Sequence, residues 1–378
     1  MRAAMKLAVR TTVLLLLFAA AAAYVLYVLH ESDAPPPDAS DTTTKAAAPR
    51  PVQRSSVRDY GRKAEEEEVV LAVVACGDRL QETLVMLKSA LTFTQAPLRF
   101  IVFAEEQLGQ SFTEKLKEWS GVKELRFRFE VRPIELPRER QEEWRRLFKP
   151  CASQRLFLPN LLQDLDALLY VDTDTLFLTP LERIWQHLHH FNSSQMAALT
   201  PEHEDRATGW YNRFARHPYY GPLGVNSGVM LMNLTRMRNF GWIDYVMPIY
   251  QEYKLKITWG DQDIINILFH FHPDKLYVYP CRYNFRPDHC MYMSVCESAD
   301  KEGVAVVHGN RGSFHSEKQP AFHAVYRAME EYQLGTDPYR NLLLPLRHYL
   351  EETSDTNCGK VRRLFLKSAE QFINAIYD

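Results

Sequence analysis

The chain has 378 residues, with 45 Lys and Arg against 47 Asp and Glu, a formal net charge of −2. That balance offers no basic footprint and sets nucleic-acid binding aside. Hydrophobic residues make up 46% and aromatics 12%, enough apolar side chain for a large core, so an intrinsically disordered chain is excluded as well.

In chain order the first predicted element is apolar. Residues 11–29, TTVLLLLFAAAAAYVLYVL, carry no charge and approach the ~20 residues a helix needs to cross a bilayer. Arg2, Lys6 and Arg10 precede this stretch and Glu31 and Asp33 follow it. The positive-inside bias then places residues 1–10 in the cytosol and everything after the anchor in the lumen, a type II arrangement. A cleaved signal peptide is the alternative, but the stretch exceeds the about 7–15 residues of a signal h-region. Residues 30–67 hold APPPDAS, TTTKAAAPRP and most of the acidic run Glu65–Glu68 without hydrophobic periodicity, and read as a luminal stem. The folded domain is expected over 68–378.

Within that domain, VVLAVVAC (69–76) is a continuous β-rich run suited to a strand buried on both faces, followed by a helix over QETLVMLKSALTF. LRFIVFAE (98–105), a helix at SFTEKLKEWS and a strand at FRFEVRPI continue the alternation, which predicts βα units and a parallel sheet. A helix over SQRLFLPNLL leads into the strand LLYV. GVMLMNL (228–234) and KLYVYP (275–280) read as further strands around helices at Ile243–Tyr253 and Asp261–Phe269, and the tail after Asp337 is amphipathic. WYNRFARHPYYGP reads as an exposed, mobile loop whose Trp210, Tyr211, Tyr219 and Tyr220, with His315, could stack on sugar rings. Asn192 and Asn233 begin N-glycosylation sequons. Of six cysteines, Cys281, Cys290 and Cys296 cluster within sixteen positions; one or two disulfides are expected there in an oxidising lumen. No Cys-x-x-Cys pair suggests structural zinc.

Open parallel sheets bind ligands beyond the carboxyl ends of their strands, and Cys76-Gly-Asp-Arg79 and Asp172-Thr-Asp174 both follow strands directly. The sequence has no GxGxxG or GxxxxGK[ST] loop, which argues against nicotinamide and P-loop enzymes. Asp172 and Asp174, two positions apart, would share a face and repel each other, so a basic group or a hard divalent cation is expected between them. His308 ends another apolar run, VAVVH, and offers a third ligand; imidazole beside two carboxylates leans towards Mn²⁺ over Mg²⁺.

Taken together, RLFLPNLL, LLYVDTDTLFL, NSGVMLMNL, WGDQDIIN and VVHGNRG resemble the family 8 retaining glycosyltransferases, and the luminal arrangement is most similar to the glucoside xylosyltransferases. The resemblance runs from about Val69 to Phe322 and implies an α/β GT-A fold: a Rossmann-like, mostly parallel sheet with an acceptor-binding region. It also implies UDP-sugar donors and Mn²⁺, with Asp172, Asp174 and His308 as metal ligands and Thr173 between them. Arg155 matches the arginine near the diphosphate; Asn226, Asp261, Gln262 and Asp263 match positions lining the donor sugar and the reacting centre. Ala75, Cys76, Gly77 and Asp78 fall where the first strand end meets the uridine. Where many members carry a lysine six positions after the metal-binding histidine, this chain has Phe314, so Arg311 or Lys318 is expected to meet the diphosphate.

On that resemblance the activity is transfer of xylose from UDP-xylose, with retention, in α1,3 linkage to O-linked glucose on EGF-like repeats of Notch-type proteins, in the Golgi or endoplasmic reticulum. A related UDP-glucose or UDP-galactose transferase and a non-catalytic, lectin-like membrane protein are the alternatives. Retention leaves two routes open: a covalent intermediate on Asp263 or Gln262, or attack on the face the diphosphate leaves. Selecting xylose over glucose requires closing the space of the missing CH₂OH, for which Trp259 and Phe177 are candidates.

Overall fold

The structure, a computed structural model, describes residues 67–138, 141–147 and 151–377. The expected tail, signal-anchor and all but the last residue of the stem lie outside the described residues. Among the described residues, no helix is long and apolar enough to cross a membrane.

The run VVLAVVA becomes β1 (Val69–Ala75), buried at every position because strands flank it on both sides and helices cover both faces. It pairs in parallel with β2 (Leu98–Ala104), which pairs in parallel with β3 (Phe127–Pro133). β3 is the edge, and it carries Arg128, Glu130 and Arg132, charges that discourage further pairing. On its other side β1 pairs in parallel with β4 (Ala167–Val171).

Beyond β4 the sheet continues through strands that the sequence reading placed only in part. The two-stranded sheet partner β5 (Thr175–Phe177) and the strand β6 (Ala197–Pro201) were not anticipated, and β7 (Val225–Asn233) begins three residues before the expected Gly228 start. β8 (Leu276–Val278) closes the order β3-β2-β1-β4-β7-β6-β8. β7 alone runs antiparallel to its neighbours, so the sheet is mostly parallel, as expected. β9 (Val306–His308) pairs antiparallel with β5 in the separate small sheet.

Helices α1 (Leu80–Phe93) and α2 (Glu106–Ser120) cover one part of the large sheet; α3 (Trp242–Tyr253) and α4 (Asp261–Phe271) cover another. A second apolar cluster joins Leu176 of β5 and Val307 of β9 to α5 (Pro320–Glu331), α6 (Leu344–Glu351) and α7 (Arg363–Tyr377). The amphipathic tail therefore buries its apolar face against the platform that carries His308. Two expectations need correction. The helix over 153–162 is a 3₁₀ segment, Ala152–Phe157, followed by one turn, Leu158–Leu161. The expected mobile loop instead opens with the helix Trp210–Phe214, pinned by a buried Tyr211.

All six cysteines are paired, and only one bond lies within the expected cluster: Cys281–Cys296. Cys290 reaches Cys358 in the tail, and Cys76 bonds Cys151 across 75 positions. Spacing alone could not show that Cys151, just before the 3₁₀ segment, faces the end of β1. The Cys290–Cys358 bridge spans 68 positions, and closing a loop of that length restricts the unfolded chain by about 4 kcal/mol. Replacing both cysteines by serine should therefore lower stability by about 2–4 kcal/mol, read from urea unfolding of the oxidised proteins.

Candidate functional site

The carboxyl ends of β1 and β4 open into a cavity of about 940 Å³. At the end of β4 the chain turns, and Asp172, Thr173 and Asp174 occupy that turn rather than extending the strand. Strand alternation is thus not what brings the two carboxylates together; the turn does. It is held by Thr175 Oγ1 donating to the Asp172 carbonyl at 2.9 Å, and by the Gly309 N–H donating to the Asp174 carbonyl at 2.6 Å.

The third member arrives through the small sheet. Pairing of Thr175 with His308 in the β5–β9 ladder sets the imidazole beside the turn, with Nε2 3.3 Å from Asp174 Oδ1 and 3.8 Å from Asp172 Oδ2. One ligand atom from each of Asp172, Asp174 and His308 lies within 4.8 Å of the others. Gly228 makes room for the ring: a Cβ there would overlap His308, 2.6 Å from Nδ1. Two carboxylate oxygens and an imidazole nitrogen in so small a volume suit a divalent cation, and the residues present fit one. A second grouping, Cys76, Glu105 and Cys151, does not, because its two sulfurs are joined in a disulfide.

Arg155 is the buried counter-charge. It extends from the 3₁₀ segment that the Cys76–Cys151 bond ties to the end of β1. Its Nη2 donates to Asp172 Oδ1 at 2.6 Å, Nη1 donates to the Ser227 carbonyl at 2.6 Å, and Nε lies 2.6 Å from Asp261 Oδ2. The guanidinium also stacks 4.3 Å over the Tyr170 ring. Burial works against its charge, but Asp172 and Asp261 outweigh that and hold its pKa above the ordinary value. Asp261, the first residue of α4, is itself buried, and desolvation pushes its carboxyl up to about 6 despite Arg155.

Gly260 holds the cap position of α4, at φ +59°, a conformation that suits glycine. Asp263 is wholly buried behind the cavity wall. Its Oδ1 accepts from the Tyr211 hydroxyl at 2.8 Å, and its Oδ2 accepts from the backbone N–H groups of Thr258 and Trp259, both at 2.7 Å, with His217 Nε2 3.2 Å away. The carboxylate proposed from the sequence as a nucleophile is therefore occupied in holding the turn before α4. Gln262 does face the cavity; its Oε1 accepts from the Ser227 N–H at 3.1 Å.

Of the remaining expected residues, Cys76, Gly77, Asp78, Thr173, Asn226 and Arg311 line the cavity, whereas Ala75 is buried beneath it as the last residue of β1. Arg311 sits at φ +58° on the rim, ion-paired to Asp288. Lys318 is absent from the lining, and Phe314 is packed against Gly309. Trp259 and Trp210 face the cavity, but Phe177 is core, and His315 lies against Glu82, 2.9 Å from its carboxylate. Tyr211, Tyr219 and Tyr220 are not among the lining residues.

Part of the cavity wall was missed. Glu202 and His203 follow the unrecognised β6, and burial raises the Glu202 carboxyl against the pull of Arg286 and lowers His203. Strand β6 is only five residues long, and the polar Thr200 interrupts its apolar pattern, so its end gave no signal. Arg79, Phe214 and Tyr292 line the cavity as well.

A mostly parallel sheet whose strand ends gather two carboxylates, an imidazole and a buried arginine around one cavity forms a site able to hold a divalent cation beside a bound ligand. Residues 68–311 match glycosyl transferase family 8, and the chain belongs to that family. It is 53% identical over 331 residues to glucoside xylosyltransferase 1 of Rattus norvegicus, covering 84% of this chain and 76% of that protein. It is 50% identical over 324 residues to glucoside xylosyltransferase 2 of Xenopus laevis, covering 83% and 77%. The galactosyltransferase LgtC, solved with donor and acceptor sugar analogues, superposes with a TM-score of 0.53 at 19% identity, covering 72% of this chain and 100% of that one, which shows the shared fold. Enzymes of this family use UDP-sugar donors and typically a divalent metal.

The raised Asp261 pKa has a testable sign. An unfolded aspartate titrates near 3.8 and the native one near 6, so the native state holds this proton more tightly. Its contribution to stability is complete below about pH 4 and is lost as pH rises through about 6. Asp261→Asn should remove a decline on the order of 3 kcal/mol from a urea-unfolding series across that range.

Proposed function

We propose that this chain transfers xylose from UDP-xylose, with retention, in α1,3 linkage to an O-linked glucose on EGF-like repeats of Notch-type proteins. The observation that carries the reading is the 53% identity with a glucoside xylosyltransferase across 331 residues, a span that includes the whole Asp172–Asp174–His308 convergence. Asp172, Asp174 and His308 would hold Mn²⁺, favoured over Mg²⁺ by the imidazole in the donor set. When bound, a divalent cation supplies Lewis-acid stabilisation of the charge that builds on the departing UDP.

The chain's own residues do the remaining work. Arg155 keeps Asp172 oriented from behind and holds Asp261 at the cavity wall. Arg311 stands on the rim where a guanidinium can exchange Asp288 for phosphate oxygens, the role assigned in related sequences to the lysine replaced by Phe314. The burial of Asp263 leaves Gln262, which faces the cavity, as the candidate for a covalent route; in front-face attack the leaving phosphate oxygen takes the acceptor proton and no protein base is needed. Trp259 is the remaining candidate for closing the space of the sugar's missing CH₂OH.

The charge pattern around residues 11–29 supports a type II membrane anchor, with the folded domain over 68–378 in the lumen of the Golgi or endoplasmic reticulum. Three disulfides fit that compartment. Of the two sequons, Asn192 is exposed, whereas Asn233 caps the following helix with its side chain, so glycosylation is expected first at Asn192.

Release of UDP by the purified chain, compared across UDP-xylose, UDP-glucose and UDP-galactose with a glucoside acceptor, tests the donor. A xylose preference of about tenfold or more is expected, about the step that one small sugar substituent provides; equal or reversed rates would place the chain among the related glucosyl or galactosyl transferases. Chelation by EDTA should abolish turnover and Mn²⁺ should restore it, and Asp172→Asn and His308→Ala should each reduce it by at least about 100-fold, the loss of several kcal/mol of charge stabilisation. No UDP release with any donor, with cellular function intact in those variants, would favour the lectin-like alternative.

A further inference from the structure

His308 is held from behind by a chain of side-chain amides that ends on the main chain. Its Nδ1 lies 2.8 Å from Asn284 Oδ1, and an amide oxygen can only accept, so Nδ1 carries a proton. The amide orientation is itself determined, because Asn284 Nδ2 donates to Asn226 Oδ1 at 2.8 Å. That oxygen in turn accepts the backbone N–H of Gly228 at 3.0 Å. A backbone N–H can only donate, which decides which end of Asn226 faces it.

One main-chain donor on β7 therefore sets Asn226, Asn226 sets Asn284, and Asn284 sets the ring of His308. Asn284 is fully buried, and Asn226 and His308 are 6% and 3% exposed, so water does not compete for these bonds. Gly228 contributes twice, since its missing side chain also leaves the space in which the ring lies.

We propose that Asn284 is a positioning residue for cation binding: by accepting from Nδ1–H it holds His308 with Nε2 turned towards Asp172 and Asp174. The proposal rests on the reading that these three side chains hold a divalent cation. Ligand histidines depend on the partner of their other ring nitrogen, whose loss typically costs 10–100-fold in metal affinity. An amide here supplies the acceptor without adding a buried charge and still donates to Asn226, which a carboxylate could not do.

The test is Mn²⁺ binding by the full chain in detergent at fixed UDP, followed by loss of the free-Mn²⁺ paramagnetic resonance signal, with thermal unfolding in chelator measured in parallel. Asn284→Ala should weaken Mn²⁺ binding about 10–100-fold. Asn284→Asp, which retains an acceptor for Nδ1–H but cannot donate to Asn226, should be weakened less than Asn284→Ala. A merely structural role predicts otherwise: both variants unfold earlier in chelator and bind Mn²⁺ as before. That result overturns the proposal, as does an Asp variant weakened as much as the Ala variant. If Asn284→Ala does not fold, the near-isosteric Asn284→Leu takes its place in the comparison. Asp172→Asn separates the two levels: if it binds Mn²⁺ like the unaltered protein, the cation reading fails.

Discussion

The site depends on one buried cation, the guanidinium of Arg155, placed between Asp172 and Asp261. Without it, two carboxylates would face each other in a poorly solvated wall, and a buried ion pair stripped of one partner costs about 3–5 kcal/mol. Its presence orders several elements at once. Asp172 is oriented from behind, which leaves its other oxygen turned towards His308. Asp261 is held at the start of α4, and the Ser227 carbonyl anchors the beginning of β7.

That arrangement is possible because β7 runs against the grain of the sheet. A parallel strand beside β4 would bring its far end to the cavity. The antiparallel one brings its first residues, so Asn226, Ser227 and Gly228 meet the end of β4, and the Asp172 N–H donates to the Gly228 carbonyl at 2.8 Å. The Cys76–Cys151 disulfide does the equivalent for Arg155, joining its 3₁₀ segment to the end of β1. On the other side, the C-terminal helices and two further disulfides form the base under β5 and β9. The geometry of the three ligand side chains thus rests on two different cores, one under each sheet.

Asp263 shows how the same residue can be read correctly in place and differently in role. Its position beside the site was legible from the resemblance, but its four contacts lie behind the cavity wall and stabilise the turn carrying Trp259. A sequence places a carboxylate near a site; which way the side chain points depends on packing by Tyr211 and His217, both distant in the chain.

By itself the sequence determined the strands β1, β2 and β4, the crossover helices and the strand-end location of Asp172 and Asp174, because continuous apolar runs and helical periodicity are local signals. It also carried the five ordered motifs that mark the family, including Arg155, Asn226 and His308. Only the tertiary structure decided that β7 is antiparallel, that β6 exists and brings Glu202 and His203 to the wall, how the six cysteines pair, and that Asn284 stands behind His308. The physical reason is range: periodicity reports which face of an element is buried, whereas register, disulfide partners and buried hydrogen bonds are set by groups far apart in the chain, whose meeting no local pattern encodes.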